Sequence, residues 1–152
     1  MLPVPAVYNL VAGSGEGHTP LTAFDRALLQ AGIGNVNIIR VSSILPSGAV
    51  YKPDLQIPPG SLVPSAYGYI ASEQPGSIIA AAVGVGIAED GFGVIMEHAG
   101  FLKKEEAEQI VCLMVQEAFK VRGLTIAEFK SASAEHRVKK AGCALAAVTL
   151  WY

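Results

Sequence analysis

Charge is scarce in this sequence. Only 16% of its 152 residues are Asp, Glu, Lys or Arg, while 51% are apolar, against about 25% charged in typical globular domains. A lone domain of this size ordinarily wears more charge, so part of the surface is expected to be covered, most economically by copies of the same chain. Eleven Lys and Arg stand against 13 Asp and Glu, a net charge of −2. That leaves no basic field for phosphate backbones and removes nucleic acid from the expected partners. Long apolar runs are missing too. The least polar stretch, Ile78 to Ala88, is broken by Gly84 and Gly86 and is about half of the roughly 20 residues a spanning helix needs, so no membrane partner is expected. Met1-Leu2-Pro3-Val4-Pro5 lacks a basic region followed by an apolar core. No secretory signal is read, and a cytoplasmic location is the expectation.

Cysteine and histidine are few. Cys112 and Cys143 each sit among apolar neighbours with no CxxC spacing, the pattern of small buried hydrophobes. His18, His98 and His136 are scattered with no HxxxH pair, and no metal is expected. Neither repeats, low-complexity tracts nor a linker divide the chain, so residues 1–152 read as a single domain.

What is present alternates between strand and helix signals. Ala6 to Val11 reads as a buried strand ending in a turn over residues 12–17. Thr19-Pro20 gives an N-cap and a first-turn proline. Leu21, Phe24, Leu28 and Ala31 then form one helical face, with a stop at Gly32 or Gly34. Asn35 to Ser42 is a strand rich in β-branched residues, broken by Leu45-Pro46-Ser47-Gly48. The proline-rich stretch that follows forces no regular structure before Ser61. Leu62 to Ser72, Ser77 to Ala88 and Phe92 to His98 read as strands, separated by Gln74-Pro75-Gly76 and Glu89-Asp90-Gly91. From Lys103 to Arg122 an apolar stripe, acids near the start, bases near the end and Gly123 as the stop predict a long helix. Ile126 to Val138 and Cys143 to Tyr152 are two closing strands. Two helices and about seven strands predict an α+β sandwich, helices covering a largely antiparallel sheet.

Two features invite chemistry. Gly13-x-Gly15-x-Gly17 follows a strand and precedes a helix, but His18 stands where a dinucleotide loop needs its third glycine, and the lysine and hydroxyl of a phosphate-binding P-loop are absent. It reads as a tight turn using positive φ, with Glu16 and His18 as polar contacts. Ser42-Ser43 sits between a strand and a proline-glycine break. The pair is either an ordinary polar strand end or a self-cleaving bond. In the second reading a serine hydroxyl attacks the preceding carbonyl, and elimination then leaves a new N-terminal pyruvoyl group, helped by strain at the strand end.

The wider context separates those readings. Thr19 to Asp25, Gly32 to Pro46, Leu62 to Gly68, Gly93 to Glu97, Gly142 to Ala147 and Leu150 to Tyr152, in that order, closely resemble the pyruvoyl-dependent arginine decarboxylases over nearly the whole chain. The resemblance implies an αββα sandwich assembled as a trimer of αβ units, with active sites between neighbouring units. It implies cleavage between Ser42 and Ser43 into a β chain of residues 1–42 and an α chain of 43–152, Ser43 becoming a covalent pyruvoyl group, with no metal and no pyridoxal phosphate. That carbonyl takes the place of pyridoxal phosphate in decarboxylating L-arginine to agmatine.

Further roles follow from the same likeness. Glu97 is otherwise a bland strand-end glutamate, but it shares a face with Ile95, so burial is expected to raise its pKa and suit it to donate the proton the reaction consumes. Asn37 matches a residue for processing and catalysis. A straight strand at about 3.3 Å per residue would hold it about 20 Å from Ser43, so either the strand bends or a neighbouring chain supplies it, the latter being favoured. Asp25, off the apolar stripe of its helix, is either an exposed acid paired with a nearby base or the carboxylate that grips the guanidinium. Ser42 and Ile44 complete the expected substrate contacts. Asp25 could also hold other amino acids less specifically, and a non-catalytic oligomeric binding protein on the same scaffold is the rival from another class. The presence of Ser42, Ser43, Asn37 and Glu97 argues against it.

Overall fold

Along Ile78–Ala88 the odd residues Ile79, Ala81, Val83 and Val85 point into one core, while Ala80, Ala82, Gly84 and Gly86 turn to the opposite side. Such alternation on a strand buried on both faces sets the layering of the whole molecule. The computed structural model describes residues 1–89 and 91–152. Among them are β1 (Val7–Gly17), α1 (Pro20–Gln30), β2 (Asn37–Arg40), β3 (Ile44–Leu45), β4 (Val50–Tyr51), β5 (Leu62–Ser72), β6 (Ile78–Ala88), β7 (Gly93–Gly100), α2 (Lys104–Arg122), β8 (Ile126–Arg137) and β9 (Ala141–Trp151).

The strands form a five-stranded sheet, β2-β5-β9-β1-β4, and a four-stranded sheet, β3-β7-β6-β8. Their facing sides close on a core that includes Tyr8, Leu45, Val83, Ile95, Ala146 and Val148. Helix α1 packs on the outer face of the first sheet, against Cys143, Leu145 and Ala147. Helix α2 packs on the outer face of the second through Ala107, Val111, Val115 and Phe119. The result is the helix-sheet-sheet-helix order the resemblance implies. Most pairings are antiparallel; the parallel ones, β1 with β4 and β2 with β5, lie at the sheet edges.

Four expectations need correction. The glycine-rich segment is not a turn: β1 continues through Gly17, and none of Gly13, Gly15 and Gly17 has positive φ. Their role is close approach, since a Cβ at Gly13 would lie 2.3 Å from the Ala27 carbonyl oxygen and one at Gly15 2.6 Å from the Arg26 Cβ. A helix this near the sheet admits only small side chains beneath it. The buried stripe of α1 is therefore Ala23, Ala27 and Ala31, with Phe24 and Leu28 on its flanks and Leu21 exposed. The strand expected over 35–42 is only Asn37–Arg40, because the backbone then leaves the sheet and bends at Ser43. The following proline-rich stretch holds two short strands, β3 and β4, which add onto the edges of already formed sheets. The expected turn at Glu89-Asp90-Gly91 includes residue 90, which lies outside the described residues.

The two helix boundaries follow the sequence signals. Thr19 Oγ1 accepts from Thr22 N at 3.2 Å, and Thr22 Oγ1 accepts from Thr19 N at 3.1 Å, a reciprocal cap with Pro20 beginning the helix. Helix α2 stops at Gly123, whose φ of 66° few other residues adopt.

Glu16 ties the end of β1 to the connection between β8 and β9. Its carboxylate accepts backbone N–H bonds from Lys139 at 3.1 Å, Lys140 at 2.6 Å and Ala141 at 3.1 Å, and pairs with His136 Nε2 at 2.7 Å. Partial desolvation would raise its pKa, but the His136 and backbone bonds outweigh it and hold the value at about 2, below the ordinary 4.5. The stabilisation from ionised Glu16 is thus complete above about pH 4.5 and is lost as the pH falls toward 2. Glu16→Gln is expected to lower the urea midpoint at pH 7 and to flatten its decline between those two pH values. An unchanged acid limb would show that Glu16 is not the group titrating there.

Candidate active site

The stretch Val41–Ser43 passes from one sheet to the other. Val41 N–H is still held by the Ser65 carbonyl at 3.1 Å, the last contact with the five-stranded sheet. Two residues on, the Ser43 carbonyl accepts from Ile95 N–H at 2.7 Å, and Ile44 pairs with Val94 on β7. Ser43 is thereby pinned beside the strand that carries Glu97. Gly93 lets β3 come this close, since a Cβ there would lie 3.2 Å from the Leu45 Cβ.

Glu97 shares the inward face of β7 with Ile95, at about 3.3 Å of strand per residue. Opposite it, on β5, stands Gly68, where a Cβ would be 3.2 Å from Glu97 Cγ; the glycine makes the space that the glutamate fills. Burial raises the carboxyl pKa, and the positive charge of Arg40 partly opposes that rise.

Arg40 is the residue the sequence reading missed. Its strand ends before Tyr67, leaving the Tyr67 carbonyl without a strand partner on that side. Arg40 Nη1 donates to this carbonyl at 2.6 Å, its guanidinium lies 4.0 Å from the Tyr67 ring centroid, and Nη1 stands 3.9 Å from Glu97 Oε1. A planar cation that can stack and donate in several directions fits this corner where lysine would not. Its position next to the Val41–Ser43 segment in sequence was the available signal.

The other expected residues are placed less compactly. Asn37 begins β2, donates from Nδ2 to the Gly60 carbonyl at 3.2 Å and shares no hydrogen bond with Ser43 of its own chain. Asp25 is exposed on α1, with no ion-pair partner among the described residues, and the first sheet separates its helix from the layer holding Glu97. Ser42 and Ile44 line an apolar cavity of about 260 Å³, together with Pro64, Leu150 and residues of the N-terminus, that includes neither Glu97 nor Asp25. One chain therefore places Arg40 beside Glu97 and anchors Ser43 to the same strand, while Ser42 and Ile44 line a neighbouring cavity and Asn37 and Asp25 lie apart. The strain expected at Ser42–Ser43 is not seen in the dihedral angles either: among the described residues no non-glycine has positive φ. The bond to Ile95 N–H holds Ser43 on the strand that carries Glu97.

Neither cysteine joins this group. Cys143 is buried beneath α1, where desolvation pushes its thiol pKa up to about 12, and Cys112 is half-buried on α2. Among the described residues no cluster of three or more His, Cys, Asp or Glu side chains is arranged for a metal ion. Nor is any described helix long and apolar enough to cross a membrane.

Comparison with known proteins gives a consistent set of relatives. The sequence model of the family described as pyruvoyl-dependent arginine decarboxylase matches residues 7–152. A protein of Methanocaldococcus jannaschii named pyruvoyl-dependent arginine decarboxylase is 52% identical over 151 residues, covering 98% of this chain and 92% of that protein. One of the same name from Pyrococcus horikoshii is 49% identical over 146 residues, covering 93% and 92%. Among solved structures, a pyruvoyl-dependent histidine decarboxylase at pH 8 superposes with a TM-score of 0.51 at 15% identity, over 63% of this chain and 52% of that one, a likeness of fold alone.

Because Arg40 counteracts the burial of Glu97, replacing it should move the carboxyl in a known direction. Arg40→Gln is expected to raise the Glu97 pKa further, followed by carboxyl-carbon NMR titration. A value that stays in place would mean that the two side chains do not interact in solution.

Proposed function

The chain belongs to the pyruvoyl-dependent arginine decarboxylase family, and from that premise we propose that it cleaves itself between Ser42 and Ser43 and then converts L-arginine to agmatine and CO2 at a site built between copies of the chain. The observation that carries this reading is the anchoring of Ser43 to the strand of Glu97, an inward carboxyl whose pKa burial raises.

In the cleavage, the Ser43 hydroxyl attacks the Ser42 carbonyl, forming an ester as the peptide C–N bond breaks. Loss of the Cα proton of residue 43 then expels the Ser42 carboxylate, and hydrolysis of the resulting enamine releases ammonia. The products are a β chain of residues 1–42 and an α chain of 43–152 headed by the pyruvoyl group. The Ser42 carbonyl accepts no hydrogen bond from the described residues of its own chain. Its developing negative charge needs donors, and the Asn37 amide of a neighbouring chain is the one proposed.

The pyruvoyl carbonyl supplies the electrophile that holds the substrate amine and accepts the electron pair left as CO2 departs. Burial shifts Glu97 toward its neutral form, which suits it to deliver a proton to the substrate Cα after CO2 is lost. Asp25 grips the guanidinium through two parallel hydrogen bonds, and Ser42 and Ile44 flank the substrate. Since Asp25 lies on the outer side of its own sheet, the Asp25 that serves a given Ser43 belongs to an adjacent chain.

Several features support an assembly of this kind, the trimer of the resemblance. Ile39, Ile44 and Leu62 are 46%, 45% and 62% exposed; Ile39 and Ile44 flank the Arg40–Ser43 segment, and Leu62 lies beside Asn37 at the start of β2. Exposed apolar side chains on β2, β3 and the start of β5, in a chain with little charge, are what an interface between copies requires.

Two measurements test the proposal. The denatured protein should give two masses, the larger fragment starting at residue 43 and blocked to amine-reactive sequencing, whereas Ser43→Ala should remain one intact chain unable to release CO2 from arginine; an intact wild-type chain that is fully active would refute the cleavage. Asp25→Asn should raise KM for arginine by about tenfold or more while leaving the rate of self-cleavage within about twofold, on the scale of a lost charge-assisted pair. Equal damage to both would remove Asp25 from the guanidinium site.

A further inference from the structure

The outer face of the five-stranded sheet has two covers. Helix α1 lies over one end, and the proline-rich segment 52–61 crosses the other, running from Lys52, whose N–H bonds the Tyr8 carbonyl at 2.8 Å, to Gly60, whose N–H bonds the Asn35 carbonyl at 2.8 Å. Between the C-terminal end of α1 and this strap lies a cavity of about 420 Å³, within the roughly 300–1,000 Å³ of small-molecule sites. Ser43, Glu97 and Asp25 do not line it.

Its floor is polar and deeply placed. Asn9 and Thr149 line the cavity while only 6% and 0% exposed. The Thr149 hydroxyl donates to Asn9 Oδ1, and Asn9 Nδ2 makes no hydrogen bond among the described residues. No fully enclosed side-chain nitrogen or oxygen among those residues lacks a partner, so that nitrogen opens onto the cavity. A hydroxyl both donates and accepts, so a half-turn of the amide keeps the Thr149 bond and can present the carbonyl oxygen to a donor. The walls are mixed: Ile33, Leu55 and Ile57 contribute apolar surface between the polar Asn35 and Gln56.

The charge is one-sided. No Lys, Arg or His lines the cavity, whereas the exposed Asp54 does. The adjoining end of α1 is its negative pole and has no basic residue in the last turn to offset it. Such a space suits an alkyl chain ending in a cation and gives a carboxylate no counter-ion. Arginine carries a carboxylate; its decarboxylation product does not.

We infer that this cavity binds a small alkylguanidinium or alkylammonium ion lacking a carboxylate, the chemical class of the reaction product, at a place that Ser43, Glu97 and Asp25 do not line. The choice of ligand rests on the arginine decarboxylase reading above, while the charge and shape of the cavity do not.

Calorimetric titration of the processed wild-type enzyme with agmatine should reveal two sites per protomer. Ile57→Trp, which fills the cavity, should abolish one of them, and Asp54→Asn should weaken the same one by about threefold, on the scale of an exposed charge pair. Both variants should keep kcat/KM for arginine within about twofold of wild type. A single site in active enzyme, or a second site that survives Ile57→Trp in folded protein, overturns the inference and leaves the proposed function standing. Two sites in a protein that never decarboxylates arginine would do the reverse.

Discussion

Val41 and Ser43 are held by different sheets. The N–H of the first is bonded to Ser65 on β5 and the carbonyl of the second to Ile95 on β7, so the residue between them has to bridge the two layers. This short crossing fixes where Ser42–Ser43 lies, how close β3 comes to β7, and which face of β7 the serine meets. Everything assembled around it adapts to that path. Gly93 lets β3 approach and Gly68 clears room for Glu97, while Arg40, placed just before the crossing, covers the edge of β5 left open when β2 ends.

The same economy of volume governs the outer layers. Glycines on β1 and small residues on β6 let both helices sit near the sheets, so the sandwich is stabilised by dense packing rather than by large side chains. A layer built this way leaves the bulkier apolar residues elsewhere, and Ile39 and Ile44 lie exposed on either side of the crossing. The low charge of the sequence and these exposed residues fit the contact between copies proposed above.

Electrostatics at the site is a balance between two opposed effects. Desolvation between the sheets favours the neutral carboxyl of Glu97, and the Arg40 guanidinium favours the charged one. Desolvation prevails because Arg40 is half-exposed, stands 3.9 Å away and divides its donors between Glu97 and the Tyr67 carbonyl. At Glu16 the order reverses: three backbone donors and His136 converge on one carboxylate, and hydrogen bonding outweighs desolvation.

Much was legible from local pattern. Caps and stops marked both helices, because Thr19-Pro20 and Gly123 act through their own backbone and their immediate neighbours. The long strands were visible as apolar runs, and Ser42-Ser43 with Glu97 stood out once their surroundings were recognised as family-like. Other features depended on residues far apart in sequence. That Gly13 and Gly15 serve helix approach, that α1 buries alanines instead of its leucines, and that the expected strand over 35–42 stops at Arg40 are all settled by what lies across the layer. A side chain's type fixes its local preference, but its partner is chosen by packing. Arg40 is the clearest case: its sequence neighbours identify it only as a charge on a strand, and it needs the folded edge of β5 to bring Tyr67 and Glu97 within its reach.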